Sequence, residues 1–511
     1  MCKNNGGVIK QLFLICLFCS YIFALEFKVG SYNVGNLFDA SYDGTEYYDF
    51  DVSKNAYWDE HKYKQKLKNI SKVLKDAKLD IVVLQEIENS FVLKQLQNNL
   101  PMYKYKFFYK RPGSPIGISI FSRYKIVASK LLHLPPNRKK SRDILKSTIK
   151  IDGKNFIIFS THFRSKRAPE SHRIAYAIAI NNEIKNLQIT TDYIIIGDLN
   201  SNYDEYKTIK HQKRLNNTSG ITGINHILNT IYKDIFVTKS FIQTTKPYFQ
   251  KLHYNTWLDV KKTSRFSYRY KQTNQTPDNI LLSYGVFDNK DISYVDGSFT
   301  TFKPKYLYSN GKINKRYSDH LPIYASFDTQ KKWKQNTNTN TKNSIRYLYT
   351  IDVLEKPVKL DNITVIYKKQ KGTIIQDQKG DTIYLYKCSE NLKLNHNYNL
   401  TINTIKDYYG LTEITKISKI KLLGISKSSL KSRYIDTKID DIQNKKYQSR
   451  IIDNISGVYK KKYLYYRYKN EEQKIRLYFA DKTKKPKQNS RTTLKAKRLS
   501  IYYGKMQIVI D

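Results

Sequence analysis

The chain has 511 residues, with 90 Lys and Arg against 44 Asp and Glu, and a formal net charge of +46. That length exceeds what one ordinary core supports, so two or three domains are expected. The charge excludes a neutral or acidic surface and calls for an anionic partner; nucleic acid fits best, with anionic lipid or cell-surface polysaccharide as the other anions of this kind.

The chain opens with MCKNNGGVIKQLFLICLFCSYIFALEF, in which two lysines precede an apolar run from Leu12 to Phe23 and then Ala24. A basic start, a short apolar run and a small residue mark a secretory signal peptide over 1–24; a membrane span needs about 20 apolar residues. A secreted or periplasmic protein is therefore expected. Cys2, Cys16 and Cys19 leave with this segment, and Cys388 alone cannot form an internal disulfide.

Residues 26–330 read as an α/β domain. Strand-like runs recur as EFKVGSYNV, DIVVLQEI, GISIFS, NFIIFSTHF, YIIIGDLN, NILLSYGVF and LPIYASF. Helical periodicity separates some of them: Leu67, Ile70, Val73 and Leu74 share one face, and Ile174, Ala177, Ile178, Ile184 and Leu187 another. The polar stretch 203–275 reads as a long, partly helical surface insertion. Residues 331–344 are an Asn/Thr-rich linker.

Beyond the linker, Ile, Tyr, Leu and Val alternate with Lys and Thr in the period of half-buried strands. Residues 331–511 hold 40 Lys and Arg against 16 Asp and Glu, about half of the whole excess. A short strand, a Tyr-Tyr-Gly turn and another strand occur twice: IYLYK before IKDYYGLTEIT, and IRLYFAD before LSIYYGKMQIVI. This predicts OB-like barrels, one over 345–425 and a second β-rich unit over 445–511, of the kind that binds oligonucleotides through exposed aromatics.

In the first domain the strand ends carry polar groups: Asn33, Glu86, His162, Asp198 with Asn200, Asp278, and Asp319 with His320. Any one of them alone reads as a turn residue or a cap. Gathered in one cleft, as α/β sheets gather their strand ends, they make a set. Oxygen donors such as Glu86, Asp319, Asn33 and Asn200 suit Mg2+, Mn2+ or Ca2+, not a closed zinc site. Two histidines supply a base and an acid or electrophile. With a basic surface, this points to phosphoester hydrolysis.

SYNVGNLF, DIVVLQEIEN, GISIFSRYKI, STHFRSKRAPESHR, IIIGDLNSN, TPDNILLS and YSDHLPI occur in that order. Together they resemble the endonuclease/exonuclease/phosphatase (DNase I-like) superfamily over about residues 27–327. The resemblance implies a four-layer sandwich of two mixed β-sheets flanked by helices. It implies Glu86 as main metal ligand with Asn33 and Asp319 beside it, His320 as base oriented by Asp278, Asp198 and Asn200 at the phosphate, the nucleophile or a second metal, and His162 at the scissile phosphate. The run THFRSKRAPESHR is similar to extracellular bacterial nucleases, which would set Arg164, Lys166 and Arg167 against backbone phosphates. Repair-type AP endonucleases lack a histidine at the position of His162, and inositol phosphatases carry Trp-Cys-Asp-Arg where QTPDNIL stands here. One departure concerns the first histidine: pancreatic-type DNases pair it with an upstream glutamate, where the best local match here offers Lys104.

The expectation is a secreted, divalent-metal-dependent nuclease acting on DNA, with RNA as a second substrate, monomeric and without a protein partner. The alternatives are a sphingomyelinase-like phosphodiesterase on lipid head groups and a basic DNA-binding surface protein with an inactive nuclease domain.

Overall fold

A computed structural model describes residues 25–54, 57–134, 142–245, 251–271, 273–330, 332–333, 343–370, 372–437 and 439–511. The signal-peptide reading of 1–24 and most of the 331–344 linker fall outside the described residues. Among the described residues no helix is long and apolar enough to cross a membrane.

Alternation within the apolar runs explains the architecture. In the strand Ile81–Ile87, Ile81 and Val83 join one core, while Val82 and Leu84 join another. In Tyr193–Asp198, Ile194 and Ile196 join the core of Ile81, whereas Tyr193 and Ile195 face away from it. Strands covered on both faces read as continuous apolar runs because no side is left for water. The shared core lies between two sheets.

The first sheet has the order Ser293–Tyr294, Ile323–Asp328, Glu26–Leu37, Ile81–Ile87, Gly117–Ser122 and Tyr105–Tyr109, with Thr300–Thr301 also on Ile323–Asp328. The second runs Tyr254–Asn255, Asp278–Leu282, Tyr193–Asp198, Lys154–His162, Ile144–Ile151 and Lys125–Leu132. Both are mixed: Glu26–Leu37 is parallel to Ile81–Ile87, and Lys154–His162 to Tyr193–Asp198.

Helices cover the outer faces. Helix Glu60–Ala77 places Tyr63, Leu67, Ile70, Val73, Leu74 and Ala77 on the first sheet. It starts at Asp59, whose carboxylate accepts from the Lys62 N–H at 2.8 Å, a standard N-cap. Helix Glu170–Lys185 packs Tyr176, Ala177, Ile180 and Ile184 on the second. The result is the expected helix–sheet–sheet–helix sandwich.

The stretch 203–275 is no surface insertion. Trp257 and His253 are fully buried, and Tyr254–Asn255 is an edge strand of the second sheet. Its polar residues go inside because they are hydrogen-bonded: Asn255 to Asn279 at 3.0 Å, and the Trp257 indole to Asp278 O at 2.8 Å.

The tail forms two closed five-stranded barrels. The first comprises Val358–Lys369, Gly372–Gln376, Thr382–Tyr386, His396–Tyr408 and Leu411–Ile425; the second Ile451–Lys460, Tyr463–Tyr468, Glu471–Phe479, Arg491–Tyr502 and Lys505–Ile510. Both rings run first, second, third, fifth, fourth, with third and fifth strands parallel. Ile366, Ile374, Tyr384 and Leu411 of the first barrel join the core of the second, so the two barrels pack as a pair.

Candidate active site

Register brings the polar strand ends together. His162 pairs with Asp198 across the parallel strands, Asp198 with Asp278 across the antiparallel ones, and Asn33 with Gln85 next to Glu86. The two sheets thus end in one cluster, bridged by Asn33. Its amide nitrogen donates to Glu86 Oε1 at 3.1 Å and to Asp198 Oδ2 at 3.0 Å, while its oxygen accepts from the Gly35 N–H at 3.0 Å.

The backbone at this edge is unusual. Glu86 and Asn200 hold left-handed conformations (φ 68° and 48°), which a non-glycine residue adopts only where its surroundings impose it. The Asn36 N–H donates to Glu86 Oε2 at 2.9 Å, and Asn200 donates through its N–H to Asp198 Oδ1 at 2.8 Å and through its amide to Phe163 O at 3.1 Å. Gly197 (φ 143°) lets the Asp198 strand lie close against its neighbour: a Cβ there would stand 1.9 Å from Thr161 O. Gly197→Ala is expected to destabilise the fold by about 2–3 kcal/mol, measured by denaturant unfolding.

Burial and crowding set the charges. Burial pushes up the Glu86 carboxyl, and Asp319 adds to it. Burial, then the neighbouring Asp278, pushes Asp198 up to about 7. Burial, with Arg142 and His320 nearby, holds His162 well below the usual histidine range. Burial also opposes a charged His320, but the attached Asp278 and the Asp198 and Asp319 carboxylates outweigh it and raise the ring well above 6.5. His320 Nδ1 lies 2.8 Å from Asp278 Oδ2, which also accepts from Ser267 Oγ at 2.5 Å.

His162 Nε2 sits 3.5 Å from Asp198 Oδ2 and 3.9 Å from Glu86 Oε1. Its Nδ1 is buried without a hydrogen-bond partner among the described residues, and Lys104 is exposed at the edge of the first sheet. The basic loop after His162 is divided. Lys166 is tied to the buried Glu205 at 2.7 Å, Arg167 is exposed, and Arg164 lies within electrostatic reach of His162. The buried Arg173 guanidinium holds the loop by donating to the carbonyls of Arg164, Ser165 and Ala168.

Asp319, partly buried, acts electrostatically on Glu86 and on Lys66, whose ammonium burial depresses to about 8. Asp198, Asp278 and His320 offer atoms all within 4.8 Å of one another. Crowded carboxyls, of which Glu86 and Asp198 are raised, with no thiol among them, fit a hard divalent cation.

Four neighbours escape sequence reasoning. Arg142 acts on both Glu86 and His162 and donates to Phe163 O at 3.2 Å. Ser267 grips Asp278, the Tyr268 ring lies 4.7 Å from that of His320, and Lys66 donates to Gly35 O at 3.0 Å. None lies in a recognisable motif.

The family described as Endonuclease/Exonuclease/phosphatase matches residues 30–320, more than half of the chain. No curated relative matches. Among solved structures, the chain is similar to an endonuclease/exonuclease/phosphatase family protein from Bacteroides thetaiotaomicron, at 16% identity over 60% of this chain and 99% of that one, with a TM-score of 0.37. It is also similar to an AP endonuclease from Archaeoglobus fulgidus, at 15% identity over 58% and 98%, with a TM-score of 0.37. A third is ANGEL2, a 2′,3′-cyclic phosphatase, at 15% identity over 64% and 100%, with a TM-score of 0.42. By the extent of the family match, the chain belongs to the endonuclease/exonuclease/phosphatase family.

Proposed function

We propose that this protein is an exported, divalent-metal-dependent nuclease that hydrolyses phosphodiester bonds of DNA, and of RNA as a second substrate. Its family is one of hydrolases acting on phosphodiester bonds. The observation that carries the finer reading is the burial of Asp198, Asp278, His162 and His320 together at one sheet edge, with the partly buried Glu86 beside them, in a chain of net charge +46.

Glu86 and Asp319, with Asn200 beside them, would hold Mg2+, or Mn2+ or Ca2+ in its place; Asn33, expected as a further ligand, instead turns its amide nitrogen to Glu86 and Asp198 and orients those carboxylates. When bound, the cation supplies positive charge that offsets the crowded carboxylates and the charge developing on phosphorus. Asp278 fixes the His320 ring through Nδ1; the surrounding carboxylates keep the ring protonated until the pH rises above its raised value, where Nε2 is freed to accept a proton from the attacking water. Asp198 and Asn200 position that water and the phosphate. The neutral His162 ring donates an N–H to a phosphate oxygen, and Arg164 and Arg167 meet the backbone on either side. Lys166, neutralised by Glu205, stays out of that contact. The two basic barrels, read as OB-type, bind the polymer. Monomeric action without a protein partner fits this scheme.

The test is cleavage of circular DNA, linear DNA, RNA and sphingomyelin by the mature chain. DNA cleavage is expected to require Mg2+, to fall below detection in EDTA and to return when Mg2+ is restored. Phosphocholine release from sphingomyelin without DNA cleavage would replace this reading with the lipid one. Salt-sensitive DNA binding without turnover under any metal would replace it with the adhesin one.

A further inference from the structure

The two Tyr-Tyr-Gly turns of the tail meet tip to tip. Each joins the fourth and fifth strands of its barrel, His396–Tyr408 to Leu411–Ile425 and Arg491–Tyr502 to Lys505–Ile510. Tyr409 and Tyr503 share a left-handed backbone (φ 52° and 49°), each followed by a glycine of positive φ, so the turns have one shape. The Gly504 N–H approaches Tyr409 O at 3.4 Å.

Five rings from three segments gather there. Tyr409 lies 4.7 Å from Tyr503 and 5.2 Å from Tyr502, Tyr408 lies 4.8 Å from Tyr409, and Tyr502 lies 4.4 Å from Tyr503. His211 of the first domain stands edge-on to Tyr503 at 4.7 Å. A joint serving stability alone would bury these rings. Instead Tyr408, Tyr409 and Tyr503 remain 48%, 41% and 47% exposed, a contiguous aromatic surface of the kind that marks an interaction site.

Its surroundings are cationic. The Arg476 guanidinium lies 5.3 Å from the Tyr502 ring centroid, and Lys445 Nζ comes within 3.7 Å of where a Gly504 Cβ would stand. Open ring faces beside cations suit unpaired bases, which stack while their phosphates meet the charges; a duplex hides its base faces. The segment carrying His211 also leads back to the active site. Arg214 donates to Arg167 O at 3.3 Å, and the Glu170 N–H to Leu215 O at 2.9 Å, which ties this segment to the basic loop after His162.

We propose that the paired turns, with His211, form a stacking platform for single-stranded nucleic acid, distinct from the catalytic edge and joined to it through the Arg164–Arg167 loop. The platform stands on its own geometry; that the strand it holds continues into the active site rests on the nuclease reading. The turns occupy the loop between fourth and fifth strands that OB barrels use for oligonucleotides.

The test is fluorescence anisotropy of the full chain in EDTA with a labelled oligothymidylate and with a duplex of equal length. Tyr409→Ala/Tyr503→Ala is expected to weaken single-strand binding by about tenfold or more and duplex binding by less than about twofold. Tyr409→Phe/Tyr503→Phe, which keeps the rings, should bind as the unaltered chain does. All variants should hydrolyse bis(p-nitrophenyl) phosphate at the unaltered rate. Tyr408→Ala, at the outer edge of the cluster, gives a smaller loss of the same kind and carries the test if the alanine pair disturbs the barrels. Unchanged single-strand binding in the alanine variants overturns the platform, as does an equal loss for single strand and duplex. A ring-dependent preference for single strands in a protein that cleaves no nucleic acid overturns the nuclease reading and keeps the platform.

Discussion

Replacing His320 with alanine is expected to lower turnover on DNA by about a thousandfold, the range typical of a lost general base. The ring is fixed through Nδ1 by Asp278, and Asp278 is in turn gripped by Ser267, so the three groups form one chain of hydrogen bonds. Asp278→Asn keeps the shape of that chain but removes the charge. It is expected to lower turnover by about a hundredfold with little change in KM. The decisive measurement is the double variant. If Asp278 acts only through His320, then His320→Ala/Asp278→Asn is no slower than His320→Ala alone. Losses that multiply would mean that Asp278 meets the substrate or the cation directly. DNA cleavage persisting in His320→Ala would remove His320 from the role of base.

The fold was legible wherever burial is two-sided. DIVVLQEI and YIIIGDLN carry unbroken apolar runs, Ile81–Leu84 and Tyr193–Ile196, because sheet or helix covers both their faces, and that pattern survives in one sequence. The hairpin Lys125–Leu132 and Ile144–Ile151 left no such run: Lys125–Leu132 is an edge strand, mostly exposed, and reads as KIVASKLL. The stretch 203–275 misled for a related reason. Its interior is held by buried hydrogen-bonded groups such as Asn225, His253 and Asn255, and hydrogen bonding leaves no periodicity.

The site shows the same division. Asp198, Asp278 and His320 could be found because each closes or opens an apolar strand. Arg142 sits in PPNRKKSRD as one basic residue among several, and only the tertiary fold singles it out. Tyr268 reaches His320 by pairing across to it, and that pairing sets Ser267 on Asp278, contacts that the order of residues does not encode. The orientation of Asn33, amide nitrogen toward both carboxylates, likewise depends on the turn at Gly35.

Asp352→Asn is expected to loosen the tail from the first domain by about 3–5 kcal/mol, since it strips a buried charge of its counter-ion. Asp352 lies just before the first barrel and reaches into the first domain, where it meets Arg265, Lys262 at 3.1 Å and Lys207 at 3.9 Å. Burial resists its ionisation, but Lys262, Arg265 and Lys207 outweigh that and lower the carboxyl to about 2. Against an unfolded value of about 3.9, this is worth about 2–3 kcal/mol. The folded value is the lower one, so the contribution is present above about pH 4 and is lost as pH falls through about 2. Glu355, which accepts from the Lys239 and Ser240 N–H groups, is raised by burial and does not add to this loss. The unaltered chain should therefore lose tail docking between about pH 4 and pH 2, seen as a rise in radius of gyration by small-angle scattering. The Asn variant should be looser already at pH 7 and show a smaller acid step. The change should also reach the chemistry. Arg265 stacks 4.6 Å from the Tyr203 ring, three residues beyond Asn200, and lies two residues before Ser267, which grips Asp278. A severalfold loss of DNA turnover should accompany the loosening. Equal dimensions and equal acid steps in the two proteins would show that Asp352 does not hold the tail in place.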